Sequence, residues 1–297
     1  MNWIESLQKA IAYMEDHLLE DISGQNIAEY CGYCAGHLAR GFQIVTGYTF
    51  AEYIRNRRLY LAARDLQNSD LKVIDAACRY GYDSPDAFAR AFRKFHGFTP
   101  NQASEPGRVL QTFLPLQIYI SVRGGNKMEY TIQNIPAFDV IGKCTAIKED
   151  ENNFEVIPQI WGNFMAKMGA ILSGQDQDSA ESRAIWQNNI GEFGICYETE
   201  NGMDYLIAGK YRGGEVPEGY EVRLIPALTW AQFTCLGPVP QALQDTVTQI
   251  FTQWLPENPD YQLEQDLSIE FYPMGDGKAA DYRSQVWVPI RKKDKAE

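Results

Sequence analysis

Two arginines occupy equivalent positions in a segment that repeats after about 50 residues. AEYCGY at 28–33 corresponds to ACRYGY at 77–82, and each copy continues into a stretch with one arginine, Arg40 or Arg90, between two apolar residues. A guanidinium can donate two parallel hydrogen bonds to guanine O6 and N7, or hold a phosphate. The repeat of a short helix, a Gly-aromatic turn and a second helix therefore predicts two helix-turn-helix modules, each with its own recognition helix.

A second set of residues suits a small ligand. Glu270 lies in the otherwise apolar run LSIEFY, and strand alternation would place it on one face with Tyr272. Aromatic walls around one buried carboxylate would bind a lipophilic cation by stacking and cation–π attraction. The candidate residues are Trp161, Tyr197, Tyr205, Trp230, Glu270, Tyr272 and Trp287. The alternative is that Glu270 faces solvent and that the aromatic residues form the core.

Helical periodicity dominates the first hundred residues, which predicts an all-α domain. The expected helices cover residues 2–19, the stretch from Ser23 to Cys31, and residues 35–46, 49–67, 72–79 and 85–96. The last start is well marked because Ser84 can cap the amides, Pro85 suits the first helical position and Asp86 favours the positive end of the helix dipole.

The charge distribution restricts any nucleic-acid surface to this first part. The net charge is −12, with 12 Lys+Arg against 13 Asp+Glu in residues 1–110 and 15 against 26 in residues 111–297. Residues 37–65 carry five Arg against one Glu and one Asp, which is a local basic patch. The candidates for phosphate contacts are Arg55, Arg57, Arg58, Arg93 and Lys94. For any one of these arginines, the alternative is that its side chain lies on a helix face that contacts only solvent.

The second part changes to strands with two helices, at about 154–172 and 240–256. This order predicts a duplicated α+β unit around a curved antiparallel sheet. We expect domains at residues 1–105 and 128–297, with residues 106–127 as a linker or first strand.

Other classes of function find little support. The six cysteines form no framework at zinc spacing, and all three histidines fall in the first part, so we expect no metal site, no cofactor and no catalytic residues. No apolar run is long enough to cross a bilayer and the N-terminus lacks the pattern of a signal peptide, which favours a cytoplasmic protein.

The motif GYDSPDAFARAFRKFHGFTP, with HLARGF and TGYTFAEYIRNRRLYLAARDL before it, resembles the AraC/XylS family of bacterial transcriptional regulators over residues 3–103. The resemblance implies base reading from both recognition helices, at Gly36, Ala39 and Arg40 and at Pro85, Asp86 and Arg90. The DNA-binding candidates also include His37, as a phosphate-proximal or helix-terminal residue, and Ser84. Only the two arginines keep the family's usual chemistry. The operator should therefore differ from that of the family's best-matching subgroup, or be read partly through shape.

Residues 128–293 resemble the GyrI-like effector-binding domain, through TWAQFTCLGPVPQALQDTVTQIFTQWLPENPDYQ, IEFYP and VWVPIRK. The resemblance implies a pocket between the two halves that favours apolar, aromatic or cationic compounds. Glu270 matches a glutamate of the family, whereas Gln285 stands where many relatives carry another. The two resemblances together predict a regulator that binds double-stranded DNA and responds to a small effector.

Two other functions stay open at this point. Some GyrI-like domains hydrolyse small electrophiles, which would make Glu270 and Tyr197 catalytic. The second part could instead serve only to dock RNA polymerase or another copy of the chain, with no ligand. Two recognition helices in one chain allow a monomer to bind two successive grooves, so the oligomeric state is also open.

Overall fold

The computed structural model describes residues 3–105, 107–118, 128–148, 151, 153–173, 178–199, 202–258 and 260–293. These residues form two compact units. The first unit contains the chain up to Gly32 and resumes at Phe42, and the second combines Tyr33–Gly41 with the chain beyond residue 127. The first half of the predicted first recognition helix thus belongs to the second unit.

Six helices form the predicted double helix-turn-helix region. They are α1 (Trp3–Asp16), α2 (Gly24–Cys31), α3 (Ala35–Thr46), α4 (Phe50–Asn68), α5 (Val73–Arg79) and α6 (Pro85–His96). The predicted cap at Ser84 is present, since its side chain accepts a hydrogen bond from the amide of Ala87. Gly32 and Gly97 follow α2 and α6 with φ of 73° and 81°, a left-handed conformation that favours glycine.

Helix α4 supplies the core of the first unit. Its buried face, which includes Leu59, Ala62 and Ala63, packs against Phe88 and Phe92 of α6. The small alanines leave room for the two aromatic rings. The centroids of these rings lie 5.5 Å from each other. The predicted apolar stripes of both helices are therefore the faces that build this core.

The segment after α6 lies along the first unit. The amide of Gln111 donates to His96 Nδ1 at 3.2 Å, while His96 Nε2 lies 3.1 Å from the carbonyl oxygen of Leu59. Further along, Arg57 donates to the carbonyl oxygen of Phe113. Residues 108–118 do not form the expected first strand. Their backbone forms hydrogen bonds with side chains of the first unit and pairs with no other strand. The rest of the predicted strand lies outside the described residues.

The second unit contains an antiparallel sheet of nine strands with helices, as predicted. The strands are β1 (Tyr130–Ile135), β2 (Phe138–Lys148), β3 (Phe193–Thr199), β4 (Gly202–Lys210), β5 (Glu221–Ile225), β6 (Leu228–Leu236), β7 (Tyr261–Leu263), β8 (Leu267–Phe271) and β9 (Arg283–Lys292). Their order is β1-β6-β9-β8-β3-β4-β2-β5, and β7 pairs with β9. The helices are α7 (Asn153–Leu172), α8 (Ala180–Asn188), α9 (Gln241–Gln249) and α10 (Leu255–Glu257), with a π-helical turn over Ile250–Trp254.

Helix α8 was not expected from the sequence. Its nine residues, AESRAIWQN, are too few and too polar to show a clear period. The helix is instead defined by its ends, because Ser179 caps its amides and Asn189 follows it with φ of 52°.

Strand register decides which side chains share a face of this sheet. Gly194 pairs with Glu270 and Cys196 with Ser268, so these residues point to one side, together with Tyr205 of β4. Helix α7 packs on this side, and we call it the Glu270 face. The opposite side buries Ile195, Ile269, Trp230 and their neighbours around Trp287, and we call it the Trp287 face.

Candidate DNA-binding and ligand-binding sites

The second recognition helix, α6, presents its predicted DNA-facing residues to solvent. Phe88 and Phe92 anchor it, and the side chains between them point outward. Pro85, Asp86, Arg90, Arg93 and Lys94 are exposed, and Ser84 is half-buried as the helix cap. The arrangement leaves the Arg90 guanidinium free to reach a groove while Arg93 and Lys94 lie near the helix end, where they suit phosphates.

The first recognition helix, α3, is placed differently. Gly36 and His37 are buried and Ala39 and Arg40 are half-buried, because the start of α3 packs on the sheet of the second unit. Arg40 Nη1 donates to Ser268 Oγ at 2.8 Å, and the amide of His37 donates to Asp266 Oδ1 at 3.3 Å. The structure therefore brings the predicted DNA-reading residues of α3 against β8 and the loop before it.

The titration of these groups reflects that burial. Burial, reinforced by the charge of Arg40, lowers the pKa of the His37 imidazole to about 3, so this side chain is neutral near pH 7. Burial raises the pKa of the Glu198 carboxyl to about 7, with Arg40 opposing and Asp266 adding to the increase. Burial alone would lower the pKa of Arg40, but Cys196, Glu198 and Glu270 outweigh it and leave that pKa raised.

Two of the five predicted phosphate contacts are corrected by the structure. Arg57 is buried and binds Glu15 through Nε and Nη2, both at 2.7 Å. Arg58 donates to the carbonyl oxygens of Leu18 and Glu20. Both arginines hold the first unit together, and only Arg55 of this group on α4 is exposed. Sequence periodicity missed this because the partners lie about 40 residues away along the chain.

Glu270 is the centre of a buried polar cluster. It is 8% exposed, and its Oε2 accepts hydrogen bonds from the hydroxyls of Tyr205 at 2.6 Å and Tyr272 at 2.9 Å. Trp161 of α7 donates in turn to the Tyr205 hydroxyl at 2.7 Å, and its ring lies 4.6 Å from that of Tyr272. Burial raises the pKa of both tyrosines and the charge of Glu270 adds to the effect. The solvent-facing alternative for Glu270 is thereby excluded.

Gly194 completes this cluster and was not singled out in the sequence. A Cβ at this position would overlap the Tyr205 hydroxyl and lie 2.9 Å from Glu270 Oε2. The hydrogen bond between Tyr205 and Glu270 thus passes over a residue that has no side chain. A glycine inside the strand-like run GEFGICYE was the available signal, since glycine within a strand often marks a close approach.

The other four predicted ligand residues lie on the Trp287 face, which corrects the expectation of a single pocket. Trp230 is fully buried there, and Trp287 donates to Gln285 Oε1 at 2.7 Å with its ring 6.2 Å from that of Trp230. Tyr197 lies under Arg223, whose guanidinium is 4.8 Å from the ring centroid. The reason is the pleat of the sheet, which turns successive residues of one strand to opposite sides, while the pairing between strands decides which residues share a side.

This division of residues also bears on the hydrolase alternative. Tyr197 and Glu270, the pair that it requires, face opposite sides of the sheet, and Glu270 meets Tyr205 instead. The described residues thus bring together no Glu270–Tyr197 pair for acid–base chemistry.

Cys34, His37 and Asp266 offer ligand atoms within 4.8 Å of one another. This group was missed in the sequence because Asp266 lies more than 200 residues from the other two. The Asp266 carboxylate accepts from the backbone amides of Gly36 and His37, so it caps the start of α3.

Among the described residues no helix is both long and apolar enough to cross a membrane.

Comparison with known families covers both parts of the chain. Residues 18–105 match the model of a helix-turn-helix domain. Residues 128–291, more than half of the chain, match the model of the GyrI-like small molecule binding domain.

Individual relatives show the same two parts. The chain is 26% identical over 298 residues to the right origin-binding protein of Escherichia coli K12, an alignment that covers 96% of this chain and 98% of that one. It is 36% identical over 95 residues to the regulatory protein SoxS of the same strain, covering 32% of this chain and 89% of SoxS. The solved structure of SAV2435 bound to tetraphenylphosphonium matches with 19% identity and a TM-score of 0.43, over 55% of this chain and 94% of that chain.

The six helices of the helix-turn-helix region and the antiparallel sheet with its helices agree with these matches. The chain belongs to the GyrI-like small-molecule-binding family, carries an AraC-type helix-turn-helix region before that domain, and is a DNA-binding transcriptional regulator modulated by a small ligand.

Proposed function

We propose that the ligand is a lipophilic cation or an aromatic compound that binds at the Glu270 cluster, and that sequence-specific DNA contact is made by Arg90 and Arg40. The observation that carries the ligand proposal is the buried carboxylate of Glu270, held by two tyrosine hydroxyls beside the ring of Trp161. A carboxylate is costly to bury unless it is compensated, and two neutral hydroxyls provide only part of that compensation.

A cationic ligand supplies the missing charge. The rings of Trp161 and Tyr272 lie on the same face as Glu270 and present π surfaces that attract a cation. Gly194, which has no side chain, leaves room for the Tyr205 hydroxyl beside the carboxylate. A charge spread over an aromatic molecule is favoured above a compact, strongly hydrated one, because it costs less to desolvate and stacks on these rings. Trp230, Tyr197, Gln285 and Trp287 are not part of this proposed site.

Glu270→Gln tests the ligand proposal. We expect tetraphenylphosphonium to bind the variant at least about tenfold more weakly than the wild type, because the carboxylate charge is lost while the shape is kept. Triphenylphosphine oxide, an uncharged aromatic compound, should bind both proteins alike. Isothermal titration calorimetry on the full chain measures both affinities, with Glu218→Gln, which changes an exposed carboxylate, as the matched control. Equal binding of the cation to wild type and Glu270→Gln would refute the site.

Arg90→Ala tests the DNA contact. The exposed guanidinium of Arg90 suits a bidentate guanine contact, so its loss should cost about 1–3 kcal/mol of specific affinity with little effect on random DNA. The assay is duplex binding to the DNA upstream of the chain's own gene and to a scrambled duplex. Arg93→Ala is the matched comparison, since a phosphate contact should weaken both duplexes alike and reduce the salt dependence. If Arg90→Ala lost equal affinity for the upstream and the scrambled duplex, that result would contradict a base contact by Arg90.

A further inference from the structure

We propose that Arg40 is an internal competitor of the ligand: without ligand it docks the start of α3 on the Glu270 face, and a cation bound at Glu270 releases α3 for DNA. This inference rests on the proposed function, since it describes the regulation of the same site. It connects the occupancy of the ligand site with the number of recognition helices that are available.

The first step is the position of the Arg40 side chain. Ser268, which accepts its hydrogen bond at 2.8 Å, is two residues before Glu270 on β8 and therefore points to the same side of the sheet. Its cross-strand neighbour Cys196 shares this face with Tyr205. The Arg40 guanidinium thus enters the face that carries the ligand cluster, where Glu198 and Glu270 both act on its charge. A guanidinium is itself a flat, weakly hydrated cation, so it resembles the ligand proposed for this face.

The second step is the small size of the α3 residues. A Cβ at Gly36 would overlap the Cβ and Cγ of Glu198, so only glycine permits this contact. Gly36 and Ala39 offer little to a base as hydrogen-bonding residues. The lack of a side chain at Gly36 has a direct use in the docked helix, because it lets α3 approach Glu198 of β3 closely. Asp266 fixes the start of α3 by accepting from the amides of Gly36 and His37.

The third step is that docking and DNA reading need the same surface. Gly36 and Arg40 are positions from which α3 is predicted to read bases, and the docked helix has Gly36 buried and Arg40 hydrogen-bonded. Arg90, at the equivalent position of α6, is exposed. The ligand-free chain would therefore engage DNA through α6, and the released chain through both helices.

The fourth step is that the docked contact is imperfect. His37 Nδ1 and Glu198 Oε1 are buried without a hydrogen-bond partner among the described residues. Unsatisfied buried polar atoms weaken a contact, which suits an arrangement that a ligand must displace. The coupling is reciprocal, so DNA that engages α3 should also raise the affinity for the cation.

Arg40→Ala gives the sharpest test because removal of a competitor should strengthen ligand binding. We expect the full chain with Arg40→Ala to bind tetraphenylphosphonium at least about threefold more tightly than wild type, the factor expected if Arg40 occupies the site two-thirds of the time. Arg90→Ala, the matched arginine of the second helix, should bind it as wild type does. Arg40→Gln repeats the test with a longer neutral side chain if the alanine variant is poorly folded.

Gly36→Ala tests the same contact without removing an arginine. Its extra carbon should prevent docking, so the variant should bind tetraphenylphosphonium more tightly than the wild type does. Without ligand, it should also bind the upstream duplex with the affinity that the wild type reaches when ligand is present. Gly169→Ala, a helix glycine with open space around it, should behave as wild type in both assays.

The outcomes separate this inference from the proposed function. Tetraphenylphosphonium binding that depends on Glu270 but is equal in wild type, Arg40→Ala and Gly36→Ala overturns the competition alone. A ligand that lowers affinity for the upstream duplex also overturns it. Absence of cation binding, or binding indifferent to Glu270→Gln, overturns the proposed ligand site and the competition together.

Discussion

Replacing Arg57 with alanine is expected to lower the free energy of unfolding of the first unit by about 3–5 kcal/mol. The Arg57 side chain is only 6% exposed and donates to Glu15 twice and to the carbonyl oxygen of Phe113 once. Among the residues that the structure describes, alanine leaves the Glu15 carboxylate, whose side chain is 21% exposed, with a single donor, the hydroxyl of Tyr53. Removing one partner of a buried ion pair costs far more than the pair itself contributes, because the remaining charge stays desolvated.

A urea titration followed by circular dichroism at the helical wavelengths measures this change. Arg55→Ala is the matched control, since Arg55 lies on the same helix two residues earlier and is exposed. Its stability should stay within about 0.5 kcal/mol of wild type. If Arg57→Ala lowered the free energy of unfolding no more than Arg55→Ala does, the buried ion pair between Arg57 and Glu15 would be wrong. Arg57 would then again be a candidate for a phosphate contact.

Replacing Gly194 with alanine should both destabilise the second unit and abolish cation binding. The new Cβ would overlap the Tyr205 hydroxyl, so Tyr205 must move away from Glu270. Overpacking of this kind costs about 1–3 kcal/mol. The ligand effect is separate, because Glu270 loses a hydrogen bond that fixes its carboxylate and the space beside it is filled.

A second substitution distinguishes these two effects. Tyr205→Phe removes the hydroxyl, the atom closest to the new Cβ, although the ring carbon Cζ still lies 2.9 Å from it. The double variant Gly194→Ala/Tyr205→Phe should therefore regain part of the lost stability in thermal unfolding without regaining affinity for tetraphenylphosphonium. Gly162→Ala, in helix α7 with nothing within 4 Å of a new Cβ, is the control and should be neutral. Full cation affinity in Gly194→Ala would place the ligand away from Glu270.

The local features of the first unit were predictable from the sequence. Apolar spacing and the cap at Ser84 identify α6 because a helix start depends on residues only three positions apart. Arg57 shows where this reasoning ends. Its place on α4 was predicted, but whether it faces solvent or Glu15 depends on the packing of α1, which no local period encodes.

The sheet shows a stricter limit. Alternation correctly placed Glu270 and Tyr272 on one face, since both lie in one run of chain. Joining Tyr197 or Trp287 to them required the pairing of different strands, and a register change of one residue reverses the face of every side chain. Gly194 and Asp266 were missed for the same reason, because each acquires its role from a residue distant in sequence.

The contacts of His96 make the first unit sensitive to protons. Because Nδ1 accepts from Gln111, the proton of the neutral ring must reside on Nε2, where it is donated to Leu59. Burial lowers the pKa of this imidazole, so the folded chain resists a charge that the unfolded chain accepts. The stability contributed by the neutral ring is complete above the ordinary pKa of 6.5 and is lost as the pH falls toward the lowered one. An imidazolium would have no acceptor for Gln111, so acidification would detach the segment after α6 from the helix that it covers.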